Sequence, residues 1–231
     1  MNELVIGNRG QVGAALQQVL GCIGVDLGEA VTLKIDVIHI AFGYSKDYEQ
    51  AVKNYQKQYN PRLTILHSTV PVGTSRKLGA VHSPIHGVHH SAGGLVDGIK
   101  TFVKYIGAVK REDAELVLRL FQEKGIKGYI VKNPETSELS KLGCTTRHGL
   151  MIMEQKLFKK RCDEVGADFQ EAYTQWNGHY TEGYRVLGMP YVQRPILKDM
   201  PGPLGGHCIV PNLDLIGGPV AEFVKEQNAK L

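Results

Sequence analysis

The residue best suited to covalent chemistry is a cysteine that closes a glycine-rich run near the C-terminal end. Cys208 is the last residue of Pro203-Leu204-Gly205-Gly206-His207-Cys208. A thiolate attacks carbonyl carbon well when a nearby cation or backbone N–H groups lower its pKa. His207 and the glycine amides are local candidates for this effect. A small buried apolar side chain is the common alternative for a free cysteine, and we favour Cys208 as a nucleophile.

A glycine-rich turn at the start of the chain predicts a second kind of chemistry. The residues Gly7-Asn8-Arg9-Gly10-Gln11-Val12-Gly13 stand between a predicted strand and a predicted helix. Glycines let the backbone turn tightly and approach a pyrophosphate, while the helix N-terminus directs N–H groups at the phosphates. Asp26 follows the second predicted strand, where a carboxylate binds ribose hydroxyls and repels the extra phosphate of NADP. The pattern predicts an NAD site, with a turn that binds no ligand or a solvated Asp26 as the alternatives.

The elements that position these residues alternate between strand and helix over the first 132 residues. Such alternation is typical of a Rossmann-like, doubly wound parallel sheet in the α/β class. The run 35–42 is apolar almost throughout, as in a strand buried on both faces. The other predicted strands are 3–6, 22–27, 63–67, 102–107 and 128–131, and the predicted helices are 11–20, 47–59 and 112–124.

The pattern changes at Asn133, which is suited to cap a helix that begins at Pro134. Recurring apolar residues predict one helix as far as residue 166, far longer than the usual ~11–12 residues. A second helix is predicted over 168–188, followed by a Pro- and Gly-rich segment and a short helix over 221–231.

This organisation predicts two domains. We expect an NAD(P)-binding Rossmann domain over 1–132 and a smaller, mainly helical domain for dimerisation and substrate binding over 133–231. The long helix predicts a homodimer, because its apolar face and those of a short C-terminal half need a partner.

Four stretches, in order along the chain, resemble the UDP-glucose/GDP-mannose dehydrogenase family, the UDP-sugar 6-dehydrogenases. They are the glycine turn, Ser68-Thr69-Val70-Pro71-Val72-Gly73-Thr74, Thr136-Ser137-Glu138-Leu139-Ser140-Lys141-Leu142, and the run that ends at Cys208. Together they span most of the chain. Their joint occurrence in this order is more specific than any one of them.

The resemblance implies an NAD-dependent oxidoreductase that oxidises a hydroxyl of a sugar or nucleotide sugar twice, through a thiohemiacetal and a thioester on a cysteine. By this resemblance Cys208 is the nucleophile and Lys141 stabilises the oxyanion. Ser68 and Thr69 then lie beside the nicotinamide or the catalytic water. The residues expected at the substrate are Glu138, Thr145, His86 and Arg194.

The chain departs from the family's pattern at several positions. Thr145 stands where the family has asparagine, and Asn212 stands at the place of a catalytic aspartate. Because an amide cannot act as a general base, hydrolysis of a thioester would need Asp214 or a water chain. Ser83-Pro84 is followed by Ile85-His86-Gly87 rather than by the family's glutamates. The relatives also have a further C-terminal domain that binds UDP, so we expect a shortened member.

Two other functions stay open at this point. A β-hydroxyacid-type dehydrogenase would carry out one two-electron oxidation with Lys141 and no cysteine. A non-catalytic nucleotide-binding protein would have kept the Rossmann half alone. A short-chain dehydrogenase is disfavoured, because no tyrosine here has a lysine four residues later.

The charge and composition of the chain disfavour some classes of partner and some cellular compartments. The net charge is +4 and no basic block stands out, which disfavours nucleic acid as a ligand. No apolar run reaches membrane-spanning length, and the N-terminus reads as a strand rather than a leader. We expect a cytoplasmic protein without a membrane contact, whose four cysteines are reduced.

One cluster of histidines and one arginine could bind a ligand or could have ordinary structural roles. His82, His86, His89 and His90 crowd one loop, and imidazoles can bind a transition metal. With no adjacent acid or cysteine, contacts to solvent or to an anionic substrate are favoured, and no metal site is predicted. Arg194 is suited to clamp a phosphate or carboxylate, although a solvated arginine is equally expected.

Overall fold

The computed structural model describes residues 1–26, 28–87, 94–206 and 208–231. The chain divides into two compact units, Met1–Gly143 and Cys144–Leu231. The sequence predicted a boundary at the start of the long helix, whereas this division falls inside the helix.

The first unit is built on a five-stranded parallel sheet with the strand order β2-β1-β3-β4-β5. The strands are β1 (Glu3–Ile6), β2 (Ile23–Val25), β3 (Val37–Ile40), β4 (Leu63–Leu66) and β5 (Val81–His82). β2 lies on one side of β1, and β3 lies on the other, so the strand order reverses at β1. Ligands of doubly wound sheets bind outside the carboxyl ends of the strands at such a reversal. The predicted α/β class with a doubly wound parallel sheet is confirmed.

Helices cover both faces of this sheet. They are α1 (Gln11–Leu20), α2 (Tyr48–Tyr59), α3 (Thr74–Lys77), α4 (Gly94–Thr101) and α5 (Arg111–Glu123). Successive strand residues point to opposite faces. Val5 therefore packs in one apolar cluster with Leu16 of α1, while Ile6 packs in another with Val52 of α2. Burial on both faces explains why the strands read as continuous apolar runs.

A second, two-stranded parallel sheet joins β6 (Lys104–Ile106) to β7 (Gly128–Ile130). It is linked to the main sheet by an antiparallel bridge in which His82 and Gly107 exchange backbone hydrogen bonds of 2.8 and 2.9 Å. The predicted strand 22–27 is shorter in the structure, and its last residue, Leu27, lies outside the described residues.

The long helix α6 runs over Pro134–Val165, 32 residues, which corresponds to about 48 Å. The Asn133 side chain accepts a hydrogen bond of 2.9 Å from the Thr136 N–H. The predicted cap and the predicted start of the helix are therefore confirmed. Within the part of the chain that the structure describes, no helix is both long and apolar enough to cross a bilayer.

The second unit is helical. Its further elements are a π-helical segment (Gln170–Gln175), α7 (Trp176–Val186), α8 (Val210–Ile216) and α9 (Gly218–Asn228). The π-helical segment interrupts the single helix predicted over 168–188. α8 begins inside the Pro- and Gly-rich segment. Pro211 stands in its first turn, where the missing N–H of proline costs no hydrogen bond.

Candidate functional site

The glycine turn after β1 lies at the reversal of the strand order and is packed too closely for a side chain at Gly13. Gly7 has φ 92°, which is left-handed backbone that favours glycine. A Cβ at Gly13 would lie 2.0 Å from the Gly7 carbonyl oxygen. A Cβ at Gly10 would meet only that same oxygen, at 3.5 Å, so the space before α1 is open. This geometry fits a pyrophosphate approached by backbone N–H groups.

Most other side chains of the turn contact the protein itself rather than the space where a ligand would bind. The Asn8 amide donates to Gln17 Oε1 at 3.1 Å, and Val12 packs against the core. Arg9, whose side chain is exposed, forms an ion pair with Glu29. Gln11 is exposed at the first position of α1. A dinucleotide would thus be held here mainly by backbone groups.

Asp26 stands directly after β2, the strand beside the glycine turn. Its N–H donates to Glu29 Oε2 at 2.9 Å, and the Glu29 N–H donates back to the Asp26 carbonyl at 3.0 Å. This reciprocal pair fixes the chain where a ribose-binding carboxylate is expected.

Ser68 and Thr69 follow β4 at the same edge of the sheet. The Ser68 hydroxyl donates to the Phe42 carbonyl at 2.5 Å and so joins the ends of β3 and β4. Tyr48 is buried nearby, and burial raises the pKa of its hydroxyl above the ordinary value. Thr69 is partly exposed.

Glu138 on α6 is fully buried and holds the segment that follows Thr69. Its carboxylate accepts hydrogen bonds from the N–H groups of Gly73 at 2.6 Å and Ser75 at 2.8 Å. Burial raises the pKa of the Glu138 carboxyl, and these donors oppose that effect. Glu138 was expected at the substrate; the structure brings it instead to this loop, because both oxygens have partners there.

Replacing Glu138 with Ala should lower the free energy of unfolding by about 2–4 kcal/mol, because two buried N–H groups lose their acceptor. Urea unfolding at pH 7 measures the change. Glu135→Gln is the matched control one turn earlier, and a much smaller loss is expected there, since the ion pair of Glu135 with Arg76 is exposed. Equal losses in the two variants would contradict the assignment.

Lys141 lies on the same helix, one turn after Glu138, at a cavity of about 400 Å³. The lining residues are Pro84, His86, Phe102, Val103, Tyr105, Ser137, Ser140 and Lys141. Lys141 Nζ donates to the Ile85 carbonyl at 2.8 Å. Burial, and then the charge of Lys141, lower the pKa of His86 to about 4. The cavity therefore combines a cation, a neutral imidazole and hydroxyls with an apolar rim, as small-molecule sites do.

His82 is not available as a metal ligand, because both of its ring nitrogens have partners. Nδ1 lies 2.8 Å from Ser137 Oγ and Nε2 lies 3.1 Å from the Ser68 carbonyl. Burial lowers its pKa to about 3. Of the histidines weighed above, His89 and His90 lie outside the described residues. Among the residues that are described, no three or more His, Cys, Asp or Glu side chains are grouped to hold a metal ion.

The second unit brings three predicted residues together. The Asn212 side-chain amide donates to the Cys208 carbonyl at 2.5 Å and to Thr145 Oγ1 at 3.3 Å. The thiol of Cys208 is free, and the residue is exposed. His207, expected to activate the thiol, lies outside the described residues. Asn212 thus orders the start of α8 as a donor and offers no base.

Arg194 lies on an aromatic surface of the second unit. Its guanidinium carbon is 3.6 Å from the centroid of the Tyr180 ring, and Nη1 lies 3.5 Å from Asn177 Oδ1. Arg194, Asn177 and the exposed Trp176 line a cavity of about 390 Å³. A stacked guanidinium keeps N–H groups free for an anion; its role as a clamp stays a prediction.

Several cavity residues were missed by sequence reasoning. Ser137 and Ser140 had a usable signal, because residues three and four apart share a helix face with Lys141. Phe102 and Tyr105 had no such signal, because the sequence of an apolar strand does not show what the strand packs against. The buried Lys104, which stands between them in the sequence, was also missed.

Curated proteins of similar sequence agree with the predicted resemblance. No protein-family model matches the chain. The chain is 29% identical over 167 residues to a UDP-N-acetyl-D-mannosamine dehydrogenase of Methanococcus maripaludis, covering 69% of the chain and 35% of the relative. It is 28% identical over 153 residues to the protein of that name from Methanococcus vannielii, covering 64% of the chain and 33% of the relative. The chain thus spans about a third of the length of these curated relatives.

Solved structures share the fold at low identity. The UDP-D-ManNAc dehydrogenase from Pyrococcus horikoshii has a TM-score of 0.76 at 18% identity, covering 100% of this chain and 68% of that one. A UDP-glucose dehydrogenase from Pyrobaculum islandicum has a TM-score of 0.73 at 15% identity, with the same coverage. The 3-hydroxyisobutyrate dehydrogenase of Mycobacterium tuberculosis has a TM-score of 0.67 at 14% identity, covering 100% of this chain and 93% of that one. The predicted resemblance is confirmed: the chain has the fold of these dehydrogenases and is similar in sequence to the UDP-N-acetyl-D-mannosamine dehydrogenases.

Proposed function

We propose that this chain is the NAD-binding and catalytic part of an NAD-dependent dehydrogenase that oxidises a hydroxyl of a sugar or nucleotide sugar. One observation carries the proposal. Lys141 and a neutral His86 meet at a cavity in the same compact unit as a glycine turn that tolerates no side chain at Gly13. We assign NAD binding to 1–132 and substrate binding with dimerisation to 133–231.

NAD⁺, when bound, accepts a hydride from the substrate carbon. The residues that would hold it are the backbone of Gly7–Gly13 for the pyrophosphate and Asp26 for the ribose, with Ser68 and Thr69 beside the nicotinamide. The close packing of Gly13 and the open space at Gly10 support this assignment. A carboxylate at Asp26 favours NAD over NADP.

Lys141 and His86 have complementary tasks in this proposal. The ammonium of Lys141 stabilises the negative charge that develops on the substrate oxygen as its proton leaves. His86, whose pKa of about 4 keeps it neutral at pH 7, accepts a hydrogen bond from a neighbouring sugar hydroxyl. Phe102 and Tyr105 form an apolar rim beside these polar groups.

We further propose that a second oxidation proceeds through Cys208. The sulfur bonds to the aldehyde carbon and the carbonyl oxygen gains a proton. A bound NAD⁺ would accept the second hydride, and loss of the hydroxyl proton of the thiohemiacetal to solvent would leave a thioester. Water then cleaves the C–S bond, which releases the carboxylate and restores the thiol. Since Asn212 cannot take the proton of that water, we propose Asp214 or a water chain as its acceptor.

The test is NADH formation with a panel of UDP-sugars and β-hydroxyacids. The proposal expects turnover with a UDP-sugar and two NADH per substrate. Cys208→Ser should stop the reaction at one NADH per substrate, because the aldehyde is no longer captured. Cys144→Ser, at another exposed cysteine, is the matched control and should keep two. NADH production untouched in Cys208→Ser would contradict the thioester route.

A β-hydroxyacid-type dehydrogenase is the second candidate. The solved hydroxyisobutyrate dehydrogenase is matched over 93% of its own length, and the missing base at Asn212 also favours a single oxidation. Here one NADH forms per hydroxyacid, and Cys208→Ser changes nothing. NAD binding without turnover on any substrate would instead favour the non-catalytic alternative.

We also propose a cytoplasmic homodimer that joins through the long helix. The long helix exposes the large apolar side chains of Leu139, Phe158 and Val165, which are 53%, 38% and 57% exposed. Apolar side chains on the outside of this helix favour a protein partner. Sedimentation velocity of the full chain tests it, and a monomer at micromolar concentration would contradict it.

A further inference from the structure

A lysine that the proposed chemistry does not use is buried at the start of β6. Lys104 is 2% exposed. Its Nζ donates to the carbonyl oxygens of Ser83 at 2.8 Å and Pro84 at 3.0 Å. The third neighbour is His67 Nδ1, at 3.4 Å. The protonation of Lys104 therefore depends on whether that ring nitrogen carries a hydrogen.

The hydrogen bonds around His67 decide this point. His67 Nδ1 lies 2.8 Å from the Ser83 carbonyl, which can only accept, so Nδ1 carries the hydrogen. Nε2, the other nitrogen, then accepts from His39 Nδ1 at 3.0 Å. The far side of His39 faces the Glu3 carboxylate at 3.0 Å. The His39–Glu3 contact lies at the end of this hydrogen-bonded series that is away from Lys104.

An ammonium group has three N–H donors and no acceptor, whereas a neutral amine has two donors and one lone pair. Lys104 has two carbonyls to donate to, and its third neighbour, His67 Nδ1, carries a hydrogen and cannot accept one. We propose that Lys104 is held as a neutral amine and is the positioning residue of the loop Ser83–Ile85. The positioning half of this inference rests on the proposed function, and the protonation half stands by itself.

The titratable groups around Lys104 agree with a neutral amine, whereas the Phe121 ring, whose centroid lies 5.4 Å from Nζ, would suit an ammonium. The titratable groups that face it are His67 after β4, His82 of β5, His86 of the cavity and Lys141 of α6. Burial, and then the charge of Lys141, hold the pKa of Lys104 well below its ordinary value. Glu3 is separated from Lys104 by two imidazoles and does not neutralise it directly.

The contacts of Lys104 also indicate a structural role for its amine. Three successive carbonyls of one loop bind two lysines: Ser83 and Pro84 bind Lys104 from the core, and Ile85 binds Lys141 at 2.8 Å. The orientation of the loop thus sets where the Lys141 amine lies at the cavity. A neutral Lys104 gives this support without a second positive charge that would repel Lys141.

The pH dependence of the unfolding equilibrium reports whether Lys104 is neutral in the folded protein. A lysine in the unfolded chain has a pKa near ~10.4, so Lys104 takes up a proton when the chain unfolds between its folded pKa and that value. The stability due to its neutral state is therefore lost as the pH falls. The unfolding equilibrium constant of the natural chain should fall about tenfold per pH unit, from pH 7 to 9, relative to a variant without the amine.

The test compares the natural chain with Lys104→Met, which keeps the length and removes the amine. The ratio of their unfolding constants should change about 100-fold between pH 7 and 9. Lys53→Met, at an exposed position of α2, is the matched control and should leave that ratio flat. A flat ratio for Lys104→Met as well would show that Lys104 is charged in the folded protein and would overturn the inference.

Two further measurements separate the inference from the proposed function, and the first needs no variant, so it still decides the protonation state if Lys104→Met does not fold. The ¹⁵N resonance of Lys104 Nζ in the natural chain at pH 7 should be that of a neutral amine; an ammonium resonance overturns the proposal. Acetylation of Lys141 at pH 8, followed by mass spectrometry, should be at least about threefold faster in a folded Lys104→Met, because the loop no longer holds Ile85. An unchanged rate overturns positioning. Absence of dehydrogenase activity in the natural chain counts against the proposed function and leaves both readouts intact.

Discussion

Replacing Lys141 with Met should lower the rate of substrate oxidation about 10²–10³-fold and leave the affinity for NAD unchanged. Removal of one preorganised group that stabilises an oxyanion has an effect of this size. Methionine fills the same partly buried position on α6, where the lysine amine reaches the Ile85 carbonyl at 2.8 Å. The glycine turn belongs to a different element, so dinucleotide binding should persist.

Steady-state kinetics of NADH formation measure the effect. Because the lost interaction acts on the transition state, kcat and kcat/KM should fall together, with KM nearly constant. Lys53→Met is again the control for removal of a lysine from the same unit. A Lys141→Met enzyme that turns over within about threefold of the natural rate would place Lys141 outside the chemistry, since a catalytic cation is worth far more.

Gly13→Ala should destabilise the first unit by about 3 kcal/mol and abolish NAD binding. The new Cβ would lie 2.0 Å from the Gly7 carbonyl oxygen, 2.6 Å from its carbon and 2.9 Å from the Asn8 Cα. All three are backbone atoms, which cannot rotate away, so α1 must separate from β1. Strain of this kind belongs to the large end of single-residue effects.

Gly10→Ala provides the matched comparison three residues earlier. Gly10 has φ −76°, which any residue adopts, and its Cβ would meet one atom at 3.5 Å, an ordinary contact. The free energy of unfolding should change by less than about 1 kcal/mol, the cost of alanine as an N-cap. The methyl group nevertheless occupies the space before α1, so NAD affinity should fall at least about tenfold.

Urea unfolding and calorimetric titration with NAD separate the two variants. The expected pattern is loss of both stability and binding in Gly13→Ala and loss of binding alone in Gly10→Ala. Natural affinity for NAD in a folded Gly10→Ala protein would rule out this turn as the pyrophosphate site.

The elements of the first unit could be predicted because their signals are local. β1 and α1 begin and end at the residues predicted from the apolar strand, the glycine turn and Gly21, which ends the helix with φ 64°. The start of α6 followed from Asn133 and Pro134 in the same way. Periodicity and capping depend on residues a few positions apart, and the sequence prints those directly.

The targets of polar side chains could not be predicted in this way. Glu138 reaches the N–H groups of Gly73 and Ser75, 63 to 65 positions away. Nothing local distinguishes its carboxylate from one at a substrate. Arg9, expected at the cofactor, pairs with Glu29. The roles of Cys208 as the nucleophile and of Lys141 at the oxyanion stay predictions.

By itself, then, the sequence determined the α/β class, the order of the elements, the glycine turn and the resemblance to UDP-sugar dehydrogenases. Only the tertiary structure decided which groups meet: the cavity that Lys141 and His86 line, and the contacts of Lys104 with two carbonyls and with His67. The reason is physical. Periodicity follows from bonds along the chain, whereas protonation depends on burial and on partners that only folding assembles.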